Sequence, residues 1–210
     1  MSSRRRRQTR RALDGCPGVD SVGTRNDAAD RSAVASDGAL RDDLPMSREL
    51  FAFDDPASVG DWHPIDDAVM GGVSRSRLRH DPAGFAVFEG AVSLERGGGF
   101  ASVRSRPRDL GATGAVAYAL EVRGDGRRHK LNLRTDESFD GVNYQAAFDA
   151  PAGAWTTVRM RVSDFAATFR GRRVAGAPPL EASRVRQAGF VIADAQAGAF
   201  ALAIRSIRAE

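Results

Sequence analysis

The residues of this chain with chemistry to offer are few. They are the adjacent carboxylates Asp54-Asp55 and Asp66-Asp67, the histidines His63, His80 and His129, and the glycine run Gly97-Gly98-Gly99. Paired carboxylates do acid–base work when both face one bond. Neighbours on a strand point to opposite faces, so neither pair makes such a dyad unless a loop turns it. The histidines have no metal-ligand spacing, and Cys16 is the only cysteine, so a zinc site has no support. A phosphate loop needs glycines between a strand and a helix N-terminus, with a lysine in the Walker form. Here Phe100-Ala101-Ser102-Val103-Arg104 follows, which reads as a strand. No catalytic residue, metal or cofactor is expected, and the chain is read as non-enzymatic.

Binding is the better use of these residues. In Trp62-His63-Pro64-Ile65-Asp66-Asp67-Ala68-Val69-Met70-Gly71-Gly72-Val73-Ser74, two glycines permit positive φ or a close backbone approach. The Asp67 carboxylate can accept from nearby backbone N–H groups and shape such a loop. Either the loop presents Asp67, Met70 and Ser74 to a partner, or it is self-satisfied and caps one end of the domain. Arg104 is expected to pair with Asp66, Asp67 or Asp125. Asp125 lies in Gly124-Asp125-Gly126, which reads as a hairpin turn. The candidate contact region is therefore Trp62, Asp67, Met70, Gly71, Gly72, Ser74, Arg104 and Asp125. Trp62 and Tyr144 are the aromatics available to a sugar site. The basic turn Phe169-Arg170-Gly171-Arg172-Arg173 is either solvated or a contact for an acidic partner or an RNA phosphate.

The Met-Gly-Gly loop and Gly98-Gly99-Phe100-Ala101-Ser102-Val103-Arg104 together resemble the signature of the thirty-kilodalton complex I intermediate-associated protein family. The likeness continues through Gly124-Asp125-Gly126-Arg127, Tyr144, Phe148, Trp155, Phe165, Arg170-Gly171 and the run from Gly198 to Ile207. It departs at Ile65-Asp66, where Val-Asn is more usual, and at His129, where tyrosine is frequent. The resemblance implies a jelly-roll β-sandwich of the galactose-binding-like type. It also implies a non-catalytic assembly factor or chaperone-like binder, with respiratory complex I subunits or assembly intermediates as partners. A carbohydrate-binding module is the alternative, and an RNA-binding module a third reading.

The elements that position these residues are strands. Val116, Tyr118, Leu120 and Val122 fall at every second position, as do Leu131 and Leu133, then Val158, Met160 and Val162. Phe85 and Val87, then Val92 and Leu94, flank a break at Glu89-Gly90. Phe200, Leu202 and Ile204 form the last strand, with Ala188 to Ala193 as its expected partner. Roughly ten short strands, punctuated by Asp81-Pro82, Pro151 to Gly153 and Pro178-Pro179, give an all-β antiparallel sandwich.

Composition sets the remaining bounds. Lys130 is the only lysine among 31 basic residues, and 27 acidic residues leave a formal charge of +4. General nucleic-acid affinity is not indicated. No apolar run reaches the length of a membrane span. Residues 1–45 read as a disordered basic tail, with a translation start at Met46 as the alternative, and 46–210 as a single sandwich domain. The tail lacks the apolar stretch of a secretory signal. Its many aspartates are unlike a mitochondrial presequence, so a cytoplasmic location is expected.

Overall fold

The computed structural model describes residues 47–138 and 140–210. Positions 1–46, and with them the expected tail, lie outside the described residues. Thirteen strands occur in the described chain. In order they are β1 (Arg48–Ala52), β2 (Trp62–Pro64), β3 (Arg75–Asp81), β4 (Phe85–Val92), β5 (Ala101–Ser105), β6 (Ala117–Arg123) and β7 (Arg128–Arg134). They continue as β8 (Asn143–Asp149), β9 (Thr156–Arg161), β10 (Ala166–Phe169), β11 (Arg172–Arg173), β12 (Gln187–Ile192) and β13 (Gly198–Ala209).

Two antiparallel sheets pack as a sandwich. The first runs β3-β4-β13-β6-β9, with β1 also pairing with β13; the second runs β11-β10-β8-β7-β12-β5-β2. The period-two runs explain the core. Leu120 and Val122 on β6, Leu202 and Ile204 on β13, Leu131 and Leu133 on β7, and Phe190 and Ile192 on β12 are fully buried. The intervening positions of each strand face outward.

Three local expectations are corrected. Glu89-Gly90 is not a break: β4 runs unbroken to Val92. Gly90 is small because a Cβ there would strike the Arg75 carbonyl on β3. Residues 188–193 do not partner β13; β12 pairs with β5 and β7 in the opposite sheet, while β13 pairs with β4, β6 and β1. Gly124-Asp125-Gly126 is no hairpin turn either. It carries the chain from β6 in one sheet to β7 in the other. Turn chemistry marks a reversal without saying which sheet receives the chain.

Candidate functional site

Asp66 and Asp67 are two clamps facing opposite ways. Asp67 opens a single 3-10 turn, Asp67–Met70, closed by Gly71 at φ 91°. Its carboxylate is fully buried. It accepts from the Ser74 amide at 2.9 Å, the Ser74 hydroxyl at 2.5 Å and the Gly99 amide at 2.8 Å. Burial by itself pushes the Asp67 carboxyl up. The Ser74 hydroxyl and the amides of Gly99, Ser74 and Phe100 outweigh that and hold it below the usual carboxylate range. Asp66 accepts from the Ser76 amide at 2.8 Å, the Ser76 hydroxyl at 2.6 Å and the Ser102 amide at 2.9 Å. Ser76 lies on β3 and Ser102 on β5, so Asp66 ties the edge of one sheet to the other. The sequence reading offered Asp66 only as a partner for Arg104 and had no role for Ser76 or Ser102. The alternation of carboxylate direction along an extended segment was the available signal, and it was used only to exclude a dyad.

The candidate contact residues therefore separate. Asp67 and Ser74 are buried and satisfied by each other and by Ser93 and Gly99, and Gly71 and Gly72 shape the loop. Trp62 is a core residue, with its ring 4.9 Å from Phe51 and 5.8 Å from Phe190. It offers no surface, and Tyr144 is likewise buried, with its hydroxyl on the Pro178 carbonyl. Asp125 accepts from the amides of Arg127 at 3.0 Å and Ala201 at 2.9 Å, which fixes the inter-sheet connection. The expected pairing of Arg104 with Asp66, Asp67 or Asp125 is corrected: those carboxylates are held by Ser76 and Ser102, by Ser74 and Gly99, and by the amides of Arg127 and Ala201.

Met70 and Arg104 do come together, in a cleft of about 440 Å³ on the outer face of the seven-stranded sheet. Register builds its floor. Arg104 on β5 stands opposite Gly189 on β12, Gly189 opposite Asn132 on β7, and Asn132 opposite Gln145 on β8. Gly189 lets β12 lie close to β5, where a Cβ would strike the Val103 carbonyl. The apolar lining is Ile65, Met70, Phe100 and Val191; Met70 is 58% exposed. The other polar lining includes Lys130 and Arg134, with Arg170 at the rim. Lys130 pairs with Asp194 at 2.8 Å, Arg134 with Asp136 at 2.8 Å and Arg170 with Asp140 at 2.7 Å. Burial, with the Arg134 guanidinium nearby, brings the Arg104 pKa down to about 10, against the opposing pull of Asp136 and Asp140.

Two polar groups at this cleft are left unsatisfied by the protein. Asn132 is 8% exposed and its Oδ1 has no partner; Arg134 is 2% exposed and its Nε has none. Asn132, Arg134 and Lys130 were not singled out from sequence. Their outward alternation was legible, but not that β12 would set Gly189 beside them. Among the described residues no cluster of His, Cys, Asp or Glu is placed to hold a metal ion.

Residues 51–204, which include the loop and the whole cleft lining, match the complex I intermediate-associated protein 30 family. The chain belongs to that family. A similar relative is the mitochondrial complex I intermediate-associated protein 30 of Neurospora crassa. It is 26% identical over 200 aligned positions, covering 76% of this chain and 72% of the relative. The mitochondrial protein of the same name in Drosophila melanogaster is 26% identical over 166 positions; the match spans 69% of this chain and 55% of that relative's length.

The fold is shared more widely than the family. The family 11 carbohydrate-binding module of the cellulase Lic26A-Cel5E of Clostridium thermocellum superposes with a TM-score of 0.57 at 12% identity, over 78% of this chain and 93% of the module. The same organism's module in complex with a β-1,3-1,4-mixed-linked tetrasaccharide gives 0.56 at 14%, over 78% and 94%. At such identities the likeness is one of fold, which is the all-β antiparallel sandwich that strand periodicity predicted. The cytoplasmic location expected from the sequence is overturned, because both family relatives are mitochondrial proteins. That expectation leaned on aspartates in residues 1–45, and a tail's composition does not report where a folded domain of this family works.

Proposed function

We propose that this member of the complex I intermediate-associated protein family is a non-catalytic assembly factor. It binds an intermediate of respiratory complex I through the outer cleft of its seven-stranded sheet. Its place of action is beside that complex, as the names of the mitochondrial relatives suggest for them. The observation that carries the binding surface is the exposed Met70 beside Asn132, Lys130 and Arg134 in one concave site. The loop of Asp67 serves this surface indirectly. It holds Met70 at the rim by fixing both ends of the turn that carries it.

The carbohydrate-binding alternative has lost the residues on which it stood. A sugar platform needs an exposed ring, and Trp62 and Tyr144 are 8% and 5% exposed. The RNA reading rested on the basic turn Phe169-Arg170-Gly171-Arg172-Arg173, of which Arg170 is paired with Asp140.

The assembly role is tested by deleting the gene in its native host and quantifying assembled complex I on a native gel. Loss of the mature complex with accumulation of a smaller intermediate is the expected result. Unchanged complex I would refute the role.

A further inference from the structure

The basic turn Phe169-Arg170-Gly171-Arg172-Arg173 closes β10 onto β11, the two-residue edge strand of the seven-stranded sheet. Register sets Phe169 opposite Arg172 and Thr168 opposite Arg173. Arg170 at φ 48° and Gly171 at φ 75° make the connection, both left-handed as so tight a hairpin requires. Asparagine or glycine suits the first of these positions, and arginine stands there against its backbone preference. Its side chain is engaged on both sides. Asp140 holds it at 2.7 Å, and its guanidinium lies 5.2 Å from the centre of the Phe169 ring.

The hairpin is anchored at its base and open at its tip. Thr168 is buried, with its hydroxyl on Asn143 at 2.5 Å. One residue further on, Phe169 is 38% exposed, the only aromatic ring among the exposed large apolar side chains described. Arg172 and Arg173 are exposed as well, and among the described residues neither has an acidic partner. Asp140 answers the charge of Arg170, so the tip carries two uncompensated guanidinium groups. They leave the hairpin on opposite faces, Arg172 on the face of Phe169 and Arg173 on the other. Charge on an edge strand also guards against pairing between sheets. That role asks nothing of Phe169 and is not served by leaving a ring in water.

Side chains that point apart from a narrow tip do not form the groove in which a single-stranded nucleic acid or an extended peptide lies. A lipid surface asks for no groove. It offers phosphates in a plane with hydrocarbon directly beneath, the layering that a ring flanked by two cations matches. We infer that the β10–β11 hairpin docks on an anionic lipid surface, with Phe169 entering the interface and Arg172 and Arg173 on lipid phosphates. The long arginine stems let both heads reach the phosphate plane from opposite faces of the hairpin. Each guanidinium near an anionic surface strengthens binding by about fivefold, so attachment through this tip is weak and reversible. The surface lies outside the floor of the cleft and does not depend on the assembly-factor reading.

The test is co-sedimentation of the 210-residue chain with vesicles of phosphatidylcholine alone and of phosphatidylcholine with about one-third phosphatidylglycerol. Partition onto the anionic vesicles is expected to exceed that onto the neutral ones by at least about tenfold, and to fall with added salt. Arg172→Glu/Arg173→Glu is expected to weaken it by about tenfold or more with the melting temperature unchanged. Arg172→Gln/Arg173→Gln, which removes charge without reversing it, is expected to lose less than the glutamate pair. Phe169→Ser is expected to weaken binding to both kinds of vesicle. Equal partition onto neutral and anionic vesicles overturns the inference. So does anionic binding indifferent to both arginine pairs, which would assign it to another basic segment such as Arg4 to Arg7. A single-stranded RNA oligonucleotide is the competing polyanion. RNA binding that the glutamate pair abolishes, with vesicle binding retained, overturns the inference and gives the hairpin to nucleic acid.

Discussion

The carboxylate of Asp67 occupies the space that a side chain on Gly72 would need. The acid and the glycine, five positions apart, are thus one structural device: the turn folds back until the Gly72 backbone lies on the carboxylate. A Cβ on Gly98 would also meet Asp67 Oδ2, at 2.5 Å, and the Ser93 carbonyl, at 2.8 Å.

Gly72→Ala is therefore expected to cost about 2 kcal/mol or more through overpacking against Asp67. Gly71→Ala, at positive φ with open space around it, is expected to cost about 1 kcal/mol. Urea denaturation of both variants gives the comparison. Gly72→Ala as stable as Gly71→Ala would show that the carboxylate can move aside.

Asp67→Ala removes the acceptor for three amides and a hydroxyl in a buried site, and is expected to cost about 3 kcal/mol at neutral pH. Because the folded carboxyl lies below its unfolded value, its contribution is complete above the ordinary carboxylate pKa. It is lost as pH falls through the lower folded one. Stability curves of the wild type and the variant should converge only at that acid end.

His129 works in the other direction. It is fully buried, with its ring 6.1 Å from Phe148, 6.3 Å from Phe200 and 6.4 Å from Phe88. Burial lowers its pKa, against the pull of Asp125, whose Oδ1 is 3.5 Å from Nε2. The unfolded chain takes up this proton below about pH 6.5 and the folded chain does not. Stability therefore falls as pH drops from there toward the folded value. His129→Leu should remove that slope except for the share of His63, whose pKa burial, Arg104 and Arg106 also lower. An unchanged slope between pH 6.5 and the acid limb, measured by thermal melts, would count against a neutral buried imidazole.

Trp62 and Met70 were read as neighbours on one contact surface and are predicted to behave oppositely. Trp62→Ala should cost about 3–5 kcal/mol as a core truncation. Met70→Glu should change stability by no more than about 0.5 kcal/mol, as a solvent-facing substitution. Chemical denaturation distinguishes them directly.

How much of this was legible follows from what each signal reports. The alternation of Val116 to Val122 and of Val158 to Val162 gave strands because a half-buried strand must repeat every second residue. Gly90 was misread because a glycine that admits a close neighbour looks, in sequence, like one that makes a turn. Asp66 was missed because its partners, Ser76 and Ser102, are 10 and 36 positions away. The cleft was hidden for the same reason. Arg104, Asn132 and Arg134 are visibly outward on their own strands. Only the pairing of Gly189 between Arg104 and Asn132 sets them side by side, and pairing across such separations is a property of the fold, not of any segment.

The most direct measurement is the amount of assembled complex I in a gene-deletion strain complemented with either the wild type or a Met70→Glu/Lys130→Glu double variant. Both side chains lie at the cleft and neither joins the hydrogen bonds of the Asp67 loop, so equal abundance and melting temperature are expected. The account predicts that the wild type restores the complex and the variant does not. Full restoration by a stable, abundant variant would contradict it.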